Sequence, residues 1–166
     1  MNDFRPYDFD THGSARTLVQ RYAAAVAEEL AGAELLEAGD VVRLAWGDME
    51  GIVALVTPEA LELRLPTIEW PHPHEPRRSS RLWGRVEWQA IPDRPALSAL
   101  IQEAIAARQA ESRVCRFCNR SFMPEHMMKD DVCHGCAEEH LGIVFQFRQG
   151  FAVHTAIGWP KSIARL

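Results

Sequence analysis

The stretch that decides the fold is Val41–Leu65, VVRLAWGDMEGIVALVTPEALELRL. It contains three runs rich in apolar and β-branched residues, which are typical of strands. Residues that favour turns separate the runs, Gly47-Asp48 after the first and Pro58-Glu59 after the second. In the third run leucines alternate with charged residues, so one face is apolar and the other polar. The pattern predicts a three-stranded antiparallel meander with one face in solvent.

Amphipathic segments precede and follow this meander. Upstream, apolar residues recur at helical spacing from Ser14 to about Leu36, which predicts a helix that ends at Gly39. Downstream, Asp93 is expected to cap a second helix, with Pro95 in its first turn. The apolar stripe of the second helix is Leu97, Leu100, Ile101, Ala104 and Ile105.

Residues 66–80 lie between the meander and the second helix and are rich in proline. The prolines are Pro66, Pro71, Pro73 and Pro76. Because proline cannot donate to a strand ladder, this segment predicts a long loop, followed by a fourth strand at Arg81–Ile91. The order is then αββββα. We therefore expect an α+β domain over residues 1–112, with two helices on one face of an antiparallel sheet.

All four cysteines lie within 22 residues, in two CxxC pairs separated by fourteen residues. They are Cys115, Cys118, Cys133 and Cys136. Two such pairs supply four thiolates for a tetrahedral zinc ion and leave no position for water or substrate, so the ion would be structural. An iron–sulfur cluster uses the same ligands, and a redox dithiol or unrelated buried cysteines are further alternatives. The spacing favours one structural Zn²⁺.

The sequence around these pairs resembles treble-clef and zinc-ribbon modules, including the N-terminal zinc domain of ClpX chaperones. The resemblance covers residues 113–142 and rests on two stretches, VCRFCN at 114–119 and DDVCHGCAEEH at 130–140. VCRFCN resembles a zinc knuckle, and DDVCHGCAEEH resembles a cysteine pair that opens a helix. Asn119 stands where glycine is common, and asparagine also accepts left-handed backbone geometry. The resemblance implies the fold of this module and allows protein docking or nucleic-acid binding.

Two apolar runs follow the zinc module, Ile143–Phe147 and Phe151–Ile157. Arg148-Gln149-Gly150 between them is typical of a hairpin turn. Residues 143–166 are therefore expected to form a C-terminal β-hairpin and a tail.

The net charge of −5 is unevenly distributed. Residues 1–65 carry 5 basic and 12 acidic side chains, and residues 66–166 carry 13 basic and 11 acidic side chains. A dedicated nucleic-acid-binding protein is usually basic overall. The chain has no apolar run long enough to cross a membrane and no signal-peptide pattern at its start, so we expect a cytoplasmic protein without a membrane partner.

One segment, residues 77–85, is nonetheless basic and contains an aromatic residue. Its members are Arg77, Arg78, Arg81, Trp83 and Arg85. The arginines could follow phosphates while Trp83 stacks on a base; the alternative is a solvated loop with Trp83 packed at the sheet edge. Trp70 in the proline-rich loop is expected to be exposed, where it would form a contact for a partner protein.

Histidines suggest two further sites. His72 and His74 are two residues apart and could hold a second metal ion in extended chain, but a solvated proline-rich loop is the favoured explanation. His126, after Glu125, is the nearest match to the histidine of a ββα-metal nuclease. Catalytic triads, phosphate loops and dinucleotide fingerprints are absent from the sequence.

These observations favour a non-enzymatic, zinc-stabilised binding or adaptor protein that docks another macromolecule, with a protein as its partner. A DNA- or RNA-binding regulator that uses residues 77–85 is the first alternative. A metal-dependent nuclease is the second.

Overall fold

The computed structural model describes residues 15–72, 75–129 and 131–143. The chain divides into two compact units. The first comprises Met1–Ile68 and Arg78–Ser112, and the second comprises Glu69–Arg77 and Arg113–Leu166. Each unit is described in turn.

The chain contains a five-stranded sheet, and the expected α+β class is confirmed. The first unit holds two helices and this sheet, apart from the ends of its last two strands within Glu69–Arg77. The helices are α1, Ala15–Glu29, and α2, Arg94–Gln109. The strands are β1, Glu34–Ala38; β2, Val41–Trp46; β3, Ile52–Val56; β4, Ala60–His72; and β5, Glu75–Glu87. The strands lie side by side in chain order, as an antiparallel meander.

The register of β2, β3 and β4 places apolar residues on a common face. Leu44 lies opposite Ala54, and Ala54 lies opposite Leu63. The buried residues of this face are Val42, Leu44, Ile52, Ala54, Val56, Leu61, Leu63 and Leu65. Both helices contribute to the same hydrophobic cluster, and Tyr22 of α1 stacks on Trp88 with ring centroids 4.1 Å apart. The alternation predicted for β4 therefore determines which of its residues face the core.

The opposite face is more covered than the sequence predicts. Glu62 and Arg64 lie there, as the alternation indicates, but both are half-buried. Arg43 and Val53 on the same face are buried. Burial lowers the pKa of Arg43, and the nearby carboxylate of Glu34 opposes that shift.

The first helix is shorter than predicted, and a strand takes its place. The helix ends at Glu29, and Gly32 follows with a φ of +83°, which a helix cannot continue. Glu34–Ala38 then pairs with β2 as a fifth strand, and Gly39, with a φ of +62°, lies in the turn between them. The predicted end of the helix was wrong because Leu30 and Ala33 continue the apolar spacing of the helix beyond the residue at which it ends.

The prediction of a proline-rich loop over residues 66–80 was also wrong. Strand β4 runs through it to His72, and β5 runs from Glu75. The register between β3 and β4 ends at Arg64, so beyond that residue β4 pairs with β5 alone among the described strands. Such a ribbon lies at the edge of the sheet, where strands tolerate proline. The fourth predicted strand, Arg81–Ile91, is the second half of β5 and a 3₁₀ turn at Trp88–Ala90.

Helix α2 begins as the sequence predicts. The side chain of Asp93 accepts a hydrogen bond from the backbone N–H of Ala96 at 2.9 Å, and Pro95 lies in the first turn. Within the described residues, no helix is long and apolar enough to cross a membrane.

Besides the strand ends within Glu69–Arg77, the described residues of the second unit form two short hairpins and one helix. Strand β6, Arg113–Val114, pairs with β7, Ser121–Phe122, and β8, Met127–Lys129, pairs with β9, Val132–Cys133. Helix α3, His134–Leu141, follows and ends at Gly142, which has a φ of +64°. The predicted C-terminal hairpin within residues 143–166 lies outside the described residues.

Candidate metal centre

The first cysteine pair lies in the turn between β6 and β7. The backbone N–H of Cys115 donates to the carbonyl of Arg120 at 2.9 Å, and the N–H of Asn119 donates to the carbonyl of Cys115 at 2.8 Å. Asn119 has a φ of +55°, the left-handed geometry that its sequence position suggests. These bonds fold the chain tightly enough for Cys115 and Cys118 to direct their sulfurs to one point.

The second pair joins β9 to the helix that follows. Cys133 is the N-cap residue of α3, and Cys136 lies in its first turn, where the helix dipole favours negative charge. The backbone N–H of Cys133 donates to the Sγ of Cys115 at 3.4 Å, which connects the two pairs directly. Arg116 reinforces the connection, because its N–H donates to the carbonyl of Asp131 at 2.9 Å and its guanidinium donates to the Asp131 carboxylate at 3.1 Å.

The four sulfurs form one cluster with dimensions suited to a metal ion. They all lie within 4.8 Å of one another, and the Sγ atoms of Cys118 and Cys133 are 4.0 Å apart. Zinc–sulfur bonds of about 2.3 Å in a tetrahedron place sulfurs roughly 3.8 Å apart. None of the four cysteines forms a disulfide. The residues present therefore fit a metal ion, and the predicted cluster of Cys115, Cys118, Cys133 and Cys136 is the one that the fold assembles.

The electrostatics of the cluster favour a bound cation. Hydrogen bonds from the backbone amides of Cys118 and Cys133 lower the pKa of Cys115 to about 6. Burial raises the pKa of Cys136 to about 12, with hydrogen bonds to the other three sulfurs adding to that effect. Four thiolates so close together repel one another, and a divalent cation at their centre removes that repulsion.

Among the described residues, the buried cluster around the site is small. Its members are Cys115, Val132, Cys133, Cys136 and Ala137, and the partly buried Phe122, Met127, Met128 and Ile143 pack against it. Three of the five buried residues are cysteines of the candidate site. Metal–sulfur bonds would therefore supply much of the stability of this cluster.

The basic segment at residues 77–85 lies in β5 and not in a loop. The guanidinium of Arg78 is 2.6 Å from the carboxylate of Asp48, and that of Arg85 is 3.7 Å from the carboxylate of Glu62. Arg81 pairs with Glu111.

The indole of Trp83 packs against the core cluster of the first unit. It occupies the sheet-edge position that the sequence leaves as an alternative to base stacking. Arg77 is exposed in β5. Three arginines of the segment therefore pair with carboxylates that are distant in the sequence.

The other candidate residues are not gathered into a site. Trp70 and His72 lie in β4, but their side chains are outside the described part of the chain, as is all of His74. His126 lies in the 3₁₀ turn Pro124–His126. Over residues 15–72, 75–129 and 131–143, the cysteine quartet is the group of three or more potential ligands that the fold brings together, and it does not include His126.

An exposed aromatic residue at the knuckle was not singled out from the sequence. Phe117 occupies the middle of the first CxxC, is 41% exposed and stacks on His140 with ring centroids 4.6 Å apart. The guanidinium of Arg116 lies 4.9 Å from the centre of the Phe117 ring, and Leu141 beside His140 is also exposed. We call these four residues the Phe117 surface. The sequence could have indicated that Phe117 is exposed, because the middle residues of a CxxC turn point away from the ion that its cysteines bind.

Comparison with known proteins finds no matching family model, no matching curated protein and no matching solved structure. The fold and the site therefore define the class directly: a mixed α+β chain with a four-cysteine cluster suited to one metal ion.

Proposed function

We propose that the chain is a non-enzymatic, zinc-stabilised binding or adaptor protein that docks another macromolecule. The observation that carries the proposal is the cluster of four cysteine sulfurs within 4.8 Å of one another. Four thiolates complete a tetrahedral shell, so a zinc ion held there has no open position at which to activate water or substrate. The metal then stabilises a surface.

The second unit has the order of elements that a treble-clef or zinc-ribbon module would require. A knuckle between β6 and β7 supplies Cys115 and Cys118, and the β8–β9 hairpin with α3 supplies Cys133 and Cys136. We infer that this unit is such a module with one structural Zn²⁺. Free thiols at the cluster are typical of a reducing compartment, which supports a cytoplasmic location.

The Phe117 surface is the part of this unit best suited to a protein partner. Exposed aromatic and arginine side chains are enriched among residues that dominate binding energy, and here they lie in contact with each other. Zinc ligands on both sides of Phe117 would hold the ring in place, which reduces the entropy lost on binding.

The two alternatives have less support. Arg78, Arg81 and Arg85 have carboxylate partners, and each such pair cancels positive charge that a phosphate would need. His126 belongs to no group of metal ligands in the described part of the chain, which leaves a nuclease without a catalytic metal site there.

Affinity capture with the full-length chain tests the proposal. The wild-type chain should enrich a protein partner from its native source, and Phe117→Ser should weaken the interaction with the purified partner about thirtyfold. The matched control is Leu82→Ser, which also replaces an exposed apolar residue but lies in the first unit. Both variants should retain their zinc.

Equal binding by the Phe117→Ser variant would exclude the Phe117 surface. Failure to enrich any protein, together with salt-sensitive binding to DNA or RNA that Arg77→Ala plus Arg78→Ala weakens, would instead establish the nucleic-acid alternative.

A further inference from the structure

Strand β1 forms one edge of the five-stranded sheet and shares no residue with the Phe117 surface. We propose that this edge adds an extended, basic strand from a partner protein, with the side chains of Glu34–Glu37 selecting its sequence. The inference rests on the proposed function, because it names one chemical class of partner for the binding protein proposed above.

Within the described part of the chain, no strand pairs with the outer edge of β1. Strand β1 is the first strand of the sheet order and pairs with β2 on one side; among the described strands it has no neighbour on the other. All five of its residues are exposed. Its register with β2 runs from Glu34 to Ala38 without a shift. It contains no proline and no bulge, and Glu34 and Glu37 are its two charged residues, so the edge disfavours acidic or apolar strands but not a basic one.

The side chains of β1 present the same chemistry on both faces of the sheet. Leu35 pairs with Leu44 on the core-facing side, and Glu37 shares that side. Leu36 and Glu34 lie on the opposite side. The two leucines are 45% and 43% exposed, which is unusual for apolar residues of a strand. An added strand would therefore meet one leucine and one carboxylate on each face.

Charge decides which strand fits. Residues 15–68 and 78–112 carry 9 basic and 13 acidic side chains, so the unit repels acidic chains. Arg16 approaches Glu37 at 3.9 Å, but both side chains stay largely in solvent, and such exposed pairs are weak. The complement of Glu-Leu-Leu-Glu is a strand reading basic, apolar, apolar, basic. Because that pattern is the same in both directions, it fits parallel or antiparallel addition.

A second copy of this chain fits the edge less well. Residues directly opposite one another in an antiparallel pair lie on the same face of the sheet, so two copies can align Leu35 with Leu35 or Leu36 with Leu36, but not both. The first register places Glu34 of each copy opposite Leu36 of the other, and the second places Glu37 of each copy opposite Leu35. Either homodimer therefore has two carboxylates opposite leucine, where a basic strand would contain two attractive charge pairs.

Calorimetric titration of the full-length, zinc-loaded chain with acetyl-Thr-Arg-Val-Ile-Arg-Thr-amide tests the inference. The wild-type chain should bind this peptide saturably and should not bind acetyl-Thr-Glu-Val-Ile-Glu-Thr-amide. Glu34→Lys plus Glu37→Lys should weaken binding of the basic peptide at least about tenfold and should create binding of the acidic one. The control, Glu87→Lys plus Glu103→Lys, makes the same charge change at exposed positions outside β1 and should retain the wild-type preference.

Backbone pairing is tested separately, with the wild-type chain alone. One edge of an added strand faces β1 and the other faces solvent. N-methylation of the basic peptide at its first arginine and isoleucine, or at its valine and second arginine, blocks one edge at a time. One of these two peptides should bind as the parent does and the other should not. Equal effects of both would overturn strand addition even if the charge-reversed variant failed to fold.

Absence of binding by the basic peptide, or equal binding of the acidic one, would overturn the inference. A homodimer in sedimentation that Glu34→Lys plus Glu37→Lys alters would assign the edge to a second copy, which also overturns it. These failures differ from failure of the proposed function. A partner captured through the Phe117 surface would leave that function standing when no peptide binds at β1.

Discussion

Cys115 is the residue on which the candidate metal centre depends most directly. It is fully buried and accepts the N–H of Cys133, so it belongs to both halves of the site. Cys115→Ser should lower zinc affinity more than about 100-fold, because even replacing a residue that only orients a metal ligand costs roughly 10–100-fold. Elemental analysis should find about one zinc per wild-type chain. Ser121→Ala, an exposed change in β7, is the control and should keep its zinc; a folded, metal-free wild-type chain would contradict the assignment.

Arg108 is a second residue with a large expected effect, and no sequence pattern singles it out. It is 1% exposed, and both its Nε and Nη2 atoms donate to the carbonyl of Met49, at 3.1 and 2.6 Å. Its Nη1 donates to Glu111 at 2.6 Å. Arg108→Met should lower the free energy of unfolding by about 3 kcal/mol, since it leaves a buried carbonyl and a carboxylate without this donor.

Urea denaturation of the full-length chain measures that loss. Arg94→Met is the matched control, because Arg94 pairs with Glu28 and Glu29 at a more exposed position. The control should cost much less than Arg108→Met, because exposed ion pairs are weak. Equal losses for the two variants would show that burial of Arg108 contributes nothing specific.

At the scale of elements, the N-terminus of α2 is the boundary that the sequence predicts best. Asp93→Ala removes the side chain that accepts the Ala96 N–H, so we expect a loss of about 1 kcal/mol in the free energy of unfolding. Asp93→Asn, which retains an acceptor oxygen, should recover most of it. Urea denaturation distinguishes the two, and identical behaviour of Ala and Asn would mean that the cap has no energetic role.

The elements divide into those that local patterns determine and those that distant partners determine. Alternating leucines predicted β4, and the spacing of the cysteines predicted the cluster. Each pattern was readable because it depends only on residues that are close together in the sequence. Strand β1 was missed since its identity depends on pairing with β2. The prolines of residues 66–80 indicated a loop because no local pattern shows where pairing between β3 and β4 stops. That pairing stops at Arg64 of β4, and beyond it β4 and β5 continue as a two-stranded ribbon. The carboxylate partners of Arg78 and Arg81 are each 30 residues away, beyond any local pattern.

At the scale of the whole molecule, the two units differ in what stabilises them. The first has a large apolar cluster drawn from two helices and a sheet, whereas cysteines form most of the buried cluster in the described part of the second. Removing zinc should therefore unfold the second unit and leave the first folded. Acidification should act in the same direction, because protons compete with zinc for the thiolates and stability gained from the metal is lost as pH falls.

Trp88 reports the first unit in this experiment. Its ring is buried against Tyr22, and its Nε1 donates to the carbonyl of Thr57 at 2.9 Å. In heteronuclear NMR of the full-length chain, a zinc chelator should collapse the amide signals of residues 113–142 toward random-coil positions while the Trp88 indole signal stays in place. Restoring zinc should restore the lost signals. Simultaneous loss of the Trp88 signal would contradict independent stabilisation, and it would mean that the core of the first unit also depends on the four thiolates.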